Sequence, residues 1–234
     1  MTRTLILSSL ALSSSLACAI SAEQQKEFDK LMHSYLMDHP EVILESVNQY
    51  QQKKVVAAQE EAQKFAKQHL KEILDQNTPT LGNPKAPITI VEFMDYRCGY
   101  CKKAHETLTT LLKQHPDTIK VSIRIFPILG PQSFDIAKVA LTAHEQNKFA
   151  QVHTHLFDPK ADLSKDGLNA LDKKFSLKPA DKATEAQLKK NFELAEKLQI
   201  SATPAFVVTN GKDVEVISGY IDDTQFNSII KKMS

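Results

Sequence analysis

Over residues 23–78 apolar side chains recur at steps of three and four against Gln, Glu, Lys and Asp, with no Gly and a single Pro. Phe28, Leu31, Met32 and Tyr35 share one face, and this spacing predicts a first helix over 24–37. "DHPE" (38–41) reads as a restart, with Asp38 as N-cap, Pro40 in the first turn and Glu41 completing a capping box. A second helix is then predicted from Pro40 to about Leu74, its apolar stripe formed by Ile43, Val47, Tyr50, Val55, Ala58, Ala62 and Phe65. That stripe is too narrow for a buried core helix. Such a helix must lie against its own domain, a partner or both, and a homo-oligomerisation arm over 23–78 is the expected use.

The pattern breaks at "NTPTLGNPKAP" (77–87), with three prolines and a glycine in eleven residues. Ile88 to Met94 is then an apolar, β-branched run, predicted as a buried strand. Cys98 to His115 reads as a helix with Ala104, Leu108, Leu111 and Leu112 inward. Ile119 to Phe126 alternates apolar residues with Lys120, Ser122 and Arg124, a second strand parallel to the first across the helix. Helical periodicity fills 133–146, 148–157, 162–175 and 184–198. Ala205 to Thr209 and Val214 to Ser218 are strands around Asn210-Gly211, a two-residue hairpin signal, and Asp222 to Met233 closes as a helix. The order strand–helix–strand, helical block, strand–strand–helix predicts an α/β, thioredoxin-like fold over 79–234. Its helical insertion spans about 128–198, and an α-helical N-terminal arm precedes it.

Lys and Arg (29) nearly balance Asp and Glu (28), which points to neither nucleic acid nor an anionic membrane as partner. Residues 1–22 read as a signal peptide: Arg3, an apolar-and-serine run from Leu5 to Ala17, then small residues that place cleavage after Ala19 or Ala22. Loss of this leader removes Cys18, one of three cysteines, and leaves the pair Cys98 and Cys101. Export puts that pair in an oxidising compartment, the periplasm or cell envelope, where a Cys98–Cys101 disulfide is the expected state. A loop of two residues constrains the unfolded chain too little to serve as a staple.

Cys98 stands where a strand ends and a helix begins, and there free N–H groups and the helix dipole favour a thiolate; Arg97 adds a neighbouring positive charge. Cys101, one turn deeper, is placed to resolve a mixed disulfide. Glu92, mid-strand and six residues before Cys98, is either an outward edge charge or a partly buried proton carrier; alternation does not decide. Thr203-Pro204 precedes a strand. A cis bond there would leave the backbone before the proline free to pair with an extended peptide, whereas a trans proline would merely open an edge strand.

"VEFMDYRCGYCKKAH", "FPILGPQSFDIAKVALTAHEQNKFAQVHTHLF" and "ISATPAF" resemble the DsbA-like thiol–disulfide oxidoreductases, and "YLMDHPEVILESVNQYQQKK" resembles the N-terminal extension of their ScsC-like branch. The resemblance implies Cys98 as nucleophile, Cys101 as resolving thiol, Glu92 as the family's glutamate, and cis Thr203-Pro204 facing Cys98, with Gly99 and Tyr100 at the substrate surface. It implies no cofactor, exported cysteine-containing proteins as clients, a DsbB- or DsbD-type membrane partner, and a dimer or trimer. Gly99-Tyr100 and Thr203 match the DsbC isomerases rather than DsbA, so disulfide isomerisation is expected, with oxidation as a second activity. The alternative reading is Cu or Zn binding by the dithiol with His105. Only one cysteine pair exists, however, where structural zinc takes four ligands, so no metal site is expected. His144, His153 and His155 are expected on helix surfaces or lightly buried.

Overall fold

The computed structural model describes residues 21–179 and 182–234; the predicted leader lies outside the described residues as far as residue 20. Two compact units divide the chain between Lys53 and Lys54, rather than at the proline-rich stretch.

In the first unit α1 (Ala22–Asp38) opens on a capping box: Ser21 Oγ accepts the Gln24 N–H, and Gln24 Oε1 accepts the Ser21 N–H. Asp38 does not cap the next helix, because it is itself the last residue of α1 and its carboxylate accepts from Ser34 Oγ. The break falls at His39, which Pro40 forces out of helical backbone, and α2 (Glu41–Gln68) starts beyond it. No residue of α1 is buried, and Phe28, Leu31, Tyr35, Ile43, Leu44 and Val47 are all exposed.

The second unit is built on one sheet of order β1-β3-β2-β4-β5. β2 (Ile88–Met94) runs parallel to β3 (Ile119–Ile125), joined by α4 (Gly99–Gln114), and β4 (Ala205–Thr209) lies antiparallel on the other side of β2. β5 (Val214–Ser218) forms one edge. The other edge is β1 (Thr80–Gly82), three residues that the sequence pattern does not reveal. The β4–β5 connection is a four-residue loop, 210–213, rather than a two-residue turn. Thr209 Oγ1 and the Asn210 N–H both donate to Asp213 O, and Gly211 takes φ +89°. Between the parallel strands and β4 stand α5 (Pro131–Glu145), α6 (Phe149–Phe157), α7 (Lys165–Lys174) and α8 (Lys182–Lys197); α9 (Asp223–Met233) ends the chain.

Each face of the sheet has its own core. On one, Ile88, Ile90 and Met94 meet Cys101, Ala104, Leu108 and Leu111 of α4. On the other, Val91, Phe93 and Val207 meet Leu194 and Ala195 of α8 and Leu198 just past its end, together with Ala62, Ala66 and Ile73. The end of α2 and α3 (Leu70–Ile73) therefore belong to this unit, and the single helix predicted to Leu74 is interrupted at His69. Gln63 and Gln59 of α2 also finish the β5 edge: Gln63 Oε1 accepts the Val216 N–H at 3.0 Å, and the two amide groups donate to Val214 O and Val216 O. An otherwise open row of strand donors and acceptors is thereby occupied.

Covering both faces buries the polar half of β3 as well. Arg124 is 1% exposed. Its guanidinium donates to the carbonyls of Glu72 and Ile73 at 2.9 Å and to Asn191 Oδ1 at 3.2 Å, while Asn191 Nδ2 donates to Ile125 O. The polar side of the β3 alternation thus carries a buried tie between α3, β3 and α8.

Candidate active site

β2 ends at Met94, and the four residues that follow turn the chain into α4 around a buried carboxylate. Asp95 Oδ1 accepts the Arg97 N–H and Ser133 Oγ, Oδ2 accepts the Leu129 N–H, and Asp95 O accepts the Cys98 N–H. With the turn held in this way, Cys98 becomes the N-cap of α4 in extended backbone (φ −75°, ψ 122°), with no side chain capping the first turn. Its N–H groups are left to receive a negative charge. Arg97 is exposed, and its guanidinium donates to Leu129 O.

Cys98 and Cys101 are thiols in this structure, the first half-buried and the second buried. The Thr203–Pro204 bond is cis, and Cys98 Sγ lies 3.3 Å from Thr203 O. Two segments 105 residues apart thus meet at one sulfur. Gly99 has open space where a Cβ would stand, and Tyr100 is 58% exposed with its ring 6.4 Å from that of Tyr220.

Beneath the thiols lies Glu92, 1% exposed, between Ile123 of β3 and Phe206 of β4. No protein group among the described residues hydrogen-bonds its Oε1. Burial, reinforced by charge on Cys98, pushes its carboxyl up from 4.5 to about 8. Burial, and then the Glu92 charge, push the Cys101 thiol well above its ordinary range. Of the two thiols the inner one is held as a thiol until a base removes its proton.

Tyr96 and His153 complete this interior. Both are buried, and the Tyr96 hydroxyl lies 2.8 Å from His153 Nδ1. His153 therefore departs from the expected lightly buried position. α6 turns it inward, Phe149 stacks on it, and Phe157 and His105 meet it edge-on. Burial, followed by the effect of His105, lowers its pKa to about 3. His144 and His155 are half-buried. His105 stacks on Phe157 at 4.4 Å, and among the described residues no group of three His, Cys, Asp or Glu side chains could hold a metal ion. Sequence reasoning missed Asp95, Tyr96 and His153. The "DYRC" stretch carried the first two without a signal of their burial.

A family described as Thioredoxin matches residues 74–232, and the family described as the copper resistance protein ScsC N-terminal domain matches 24–55. A linker-deletion variant of Proteus mirabilis ScsC superposes with a TM-score of 0.68 at 26% identity, covering 92% of this chain and 97% of that one. A thioredoxin-like oxidoreductase from Silicibacter pomeroyi DSS-3 superposes at 0.63 with 28% identity, over 69% and 95% of the two chains. Disulfide bond formation protein D of Bacillus subtilis is 27% identical over 172 residues, 66% of this chain and 76% of that protein. An 84-residue stretch, 35% of this chain, is also 33% identical to the Na(+)/H(+) antiporter NhaA 1 of Mycobacterium sp. (strain KMS). The chain matches only 14% of that antiporter's length. The chain belongs to the thioredoxin family, in the DsbA-like, ScsC-type branch of thiol–disulfide oxidoreductases.

Proposed function

We propose that the protein exchanges disulfides in exported, cysteine-containing proteins of the cell envelope, chiefly as an isomerase. The observation that carries this reading is the half-buried Cys98 sulfur 3.3 Å from the Thr203 carbonyl, with the buried Cys101 behind it. A client strand pairing with the Thr203 backbone brings its disulfide to Cys98. The Cys98 thiolate attacks one client sulfur; the new bond forms, the client S–S bond breaks, and the departing sulfur takes up a proton. A second client thiolate then attacks the client sulfur of the mixed disulfide and releases Cys98, so electrons are conserved and the client is reshuffled. Where no such thiolate arrives, Cys101 attacks Cys98 Sγ, the client leaves reduced and the pair is oxidised. A membrane partner of DsbD type then supplies two electrons that return the oxidised pair to the dithiol, whereas one of DsbB type withdraws two electrons from the dithiol where the protein acts as an oxidant. Gly99, Tyr100, Thr203 and Pro204 form the client-facing surface.

Glu92 acts in the resolving step. Once Cys98 is in a mixed disulfide its charge is gone, and with it one of the two causes holding the Glu92 proton. The carboxylate then becomes available to take the Cys101 proton. The exposed stripe of the first unit supports a dimer or trimer, and a signal peptide cleaved after Ala19 or Ala22 fits periplasmic export.

The decisive experiment incubates Cys101→Ser with a disulfide-bonded peptide and reads the adduct by mass spectrometry. A stable mixed disulfide on Cys98 is expected, and none in Cys98→Ser; an adduct that persists without Cys98 defeats the proposal. Refolding of scrambled ribonuclease by the full chain, against a chain beginning at Lys54, tests the arm. Equal isomerase activity removes its role. The copper-resistance description of the matching N-terminal family favours a second reading, capture of Cu⁺ by the dithiol. That reading requires stoichiometric Cu⁺ in dialysis that Cys98→Ser abolishes.

A further inference from the structure

The sheet face covered by α3 and α8 is apolar toward the Cys98 end, where Val91 and Phe93 enter the core. At the opposite end of the strands the same side is polar. Thr89 of β2 stands in register with Lys120 of β3, and Ser122 of β3 with Thr80 of β1. Alternation puts Thr89 on the side of Val91, and Lys120 and Ser122 on the side of Arg124. Neighbouring strands lie about 4.8 Å apart, so three hydroxyls and one ammonium stand side by side on three strands. They floor a cleft of about 610 Å³, remote from the cysteines and wholly within the second unit. Its walls come from Asp75 and Thr78 beyond α3, Pro84, and His144 and Phe149 at the α5–α6 junction. A volume of this size lies in the ~300–1,000 Å³ range of small-molecule sites.

The polar groups of this cleft are not spent on one another. Thr78 is 2% exposed, and its Oγ1 has no protein partner among the described residues. Thr89 and Ser122 are buried as well, and among the described residues neither hydroxyl bonds a protein group. Lys120 Nζ donates to Pro84 O at 2.8 Å, which uses one of its three hydrogens, and no carboxylate among the described residues pairs with it. The acid of the wall is already engaged: Asp75 Oδ1 accepts the Asn77 N–H at 3.0 Å, and Oδ2 lies 3.8 Å from Lys190 Nζ. His144 brings no charge, since Nε2 donates to Asn77 O and burial lowers its pKa. One cation without a counter-charge, hydroxyl donors beside it and the apolar walls of Leu74 and Phe149 are what a carboxylate on a hydrocarbon body requires.

We propose that this cleft binds a small organic acid with one carboxylate and an uncharged, largely apolar body. Lys120 Nζ and the Ser122 and Thr89 hydroxyls hold the carboxylate, and Phe149 and Leu74 flank the body. The site is separate from Cys98 and does not rest on the disulfide-exchange reading.

The test titrates the reduced full-length protein with N-acetyl-L-leucine and follows its ¹H–¹⁵N correlation spectrum. Saturable shifts are expected in 74–84, 118–122 and 144–150, with none around Cys98. N-acetyl-leucinamide, the same body without the charge, should bind at least about tenfold more weakly, and Lys120→Met should weaken the acid by a similar factor. Exchange at Cys98 should be unchanged in Lys120→Met, so loss of one reading leaves the other standing. Should Lys120→Met not fold, Ser122→Ala decides: affinity lower by about threefold or more supports the site, and unchanged affinity overturns it. Equal binding of acid and amide overturns the carboxylate assignment, as do shifts confined to the surroundings of Cys98 and Thr203 or no saturable shift at all. Inorganic phosphate binding as tightly as the acid marks an adventitious anion only and overturns the proposal. Tighter binding of N-acetyl-Ala-Ala-Leu moves the carboxylate to a peptide C-terminus and overturns the small-acid assignment.

Discussion

Two ionisable side chains are buried on neighbouring strands of one sheet, on opposite faces, and the protein treats them in opposite ways. Arg124 of β3 donates to two carbonyls and an amide oxygen, and among the described residues only its Nε lacks a partner. Glu92 of β2 is equally buried, yet no group among the described residues hydrogen-bonds its Oε1. Burial weakens the charged form of both, lowering the Arg124 pKa and raising that of Glu92. A guanidinium has too high a starting value to lose its proton and must be satisfied by hydrogen bonds. A carboxyl left unsatisfied escapes the cost by keeping its proton, the property on which the proposed proton-carrier role rests. Satisfaction of hydrogen bonds, rather than burial, separates the structural charge from the chemical one.

The largest effect that sharpens this contrast is the pH dependence of stability. The folded Glu92 value of about 8 lies above the ordinary 4.5. Its contribution is therefore fully present below pH 4.5 and is lost as pH rises through 8, about 5 kcal/mol at ~1.4 kcal/mol per pH unit. Urea unfolding of reduced Glu92→Gln should lack that alkaline decline. His153, depressed to about 3 from 6.5, works in the other direction. Its contribution is present above 6.5 and is lost as pH falls toward 3, so His153→Phe should lessen the acid decline.

Next in size is Arg124→Leu. It strands the Glu72 and Ile73 carbonyls and Asn191 without their donor, and should cost about 3 kcal/mol in thermal or urea unfolding. Exchange activity per folded molecule should be unchanged. A loss of activity beyond the loss of folded protein breaks the contrast. Glu92→Gln should do the reverse at neutral pH, slowing release of a client from the Cys98 mixed disulfide by roughly 100-fold while the adduct still forms. Stopped-flow measurement of the two steps separates them. The smallest effect belongs to Asn191→Ala, which removes one acceptor from Arg124 and one donor from Ile125 O, for about 1.5 kcal/mol in unfolding and no kinetic change.

The difference between these two residues was only half legible in the sequence. Glu92 stood out as a carboxylate inside an apolar strand, because period-two alternation makes such a residue conspicuous whichever face it takes. Arg124 did not, because Lys120, Ser122 and Arg124 at alternate positions are what a solvated face looks like. Only α3 and α8 arriving over that face bury Arg124. His153 was hidden for a similar reason: on an amphipathic helix a histidine reads as surface until the helix has been packed.

The sequence by itself determined the local matters. These were four of the five strands, the helix carrying the cysteines, and the spacing of Cys98 and Cys101 with Thr203-Pro204 as the second half of the site, since each depends on periodicity or on a motif within a few residues. The tertiary structure alone decided the extent of the second unit, which begins inside α2 at Lys54 because Ala62, Ala66 and Ile73 fill one face of the sheet. It also decided the 3.3 Å approach of Cys98 Sγ to Thr203 O, the fate of the two buried charges, and the partnership of Tyr96 with His153. The physical reason is common to all of these: desolvation and hydrogen-bond satisfaction are set by whatever covers a residue, and the covering segments lie far away in the chain.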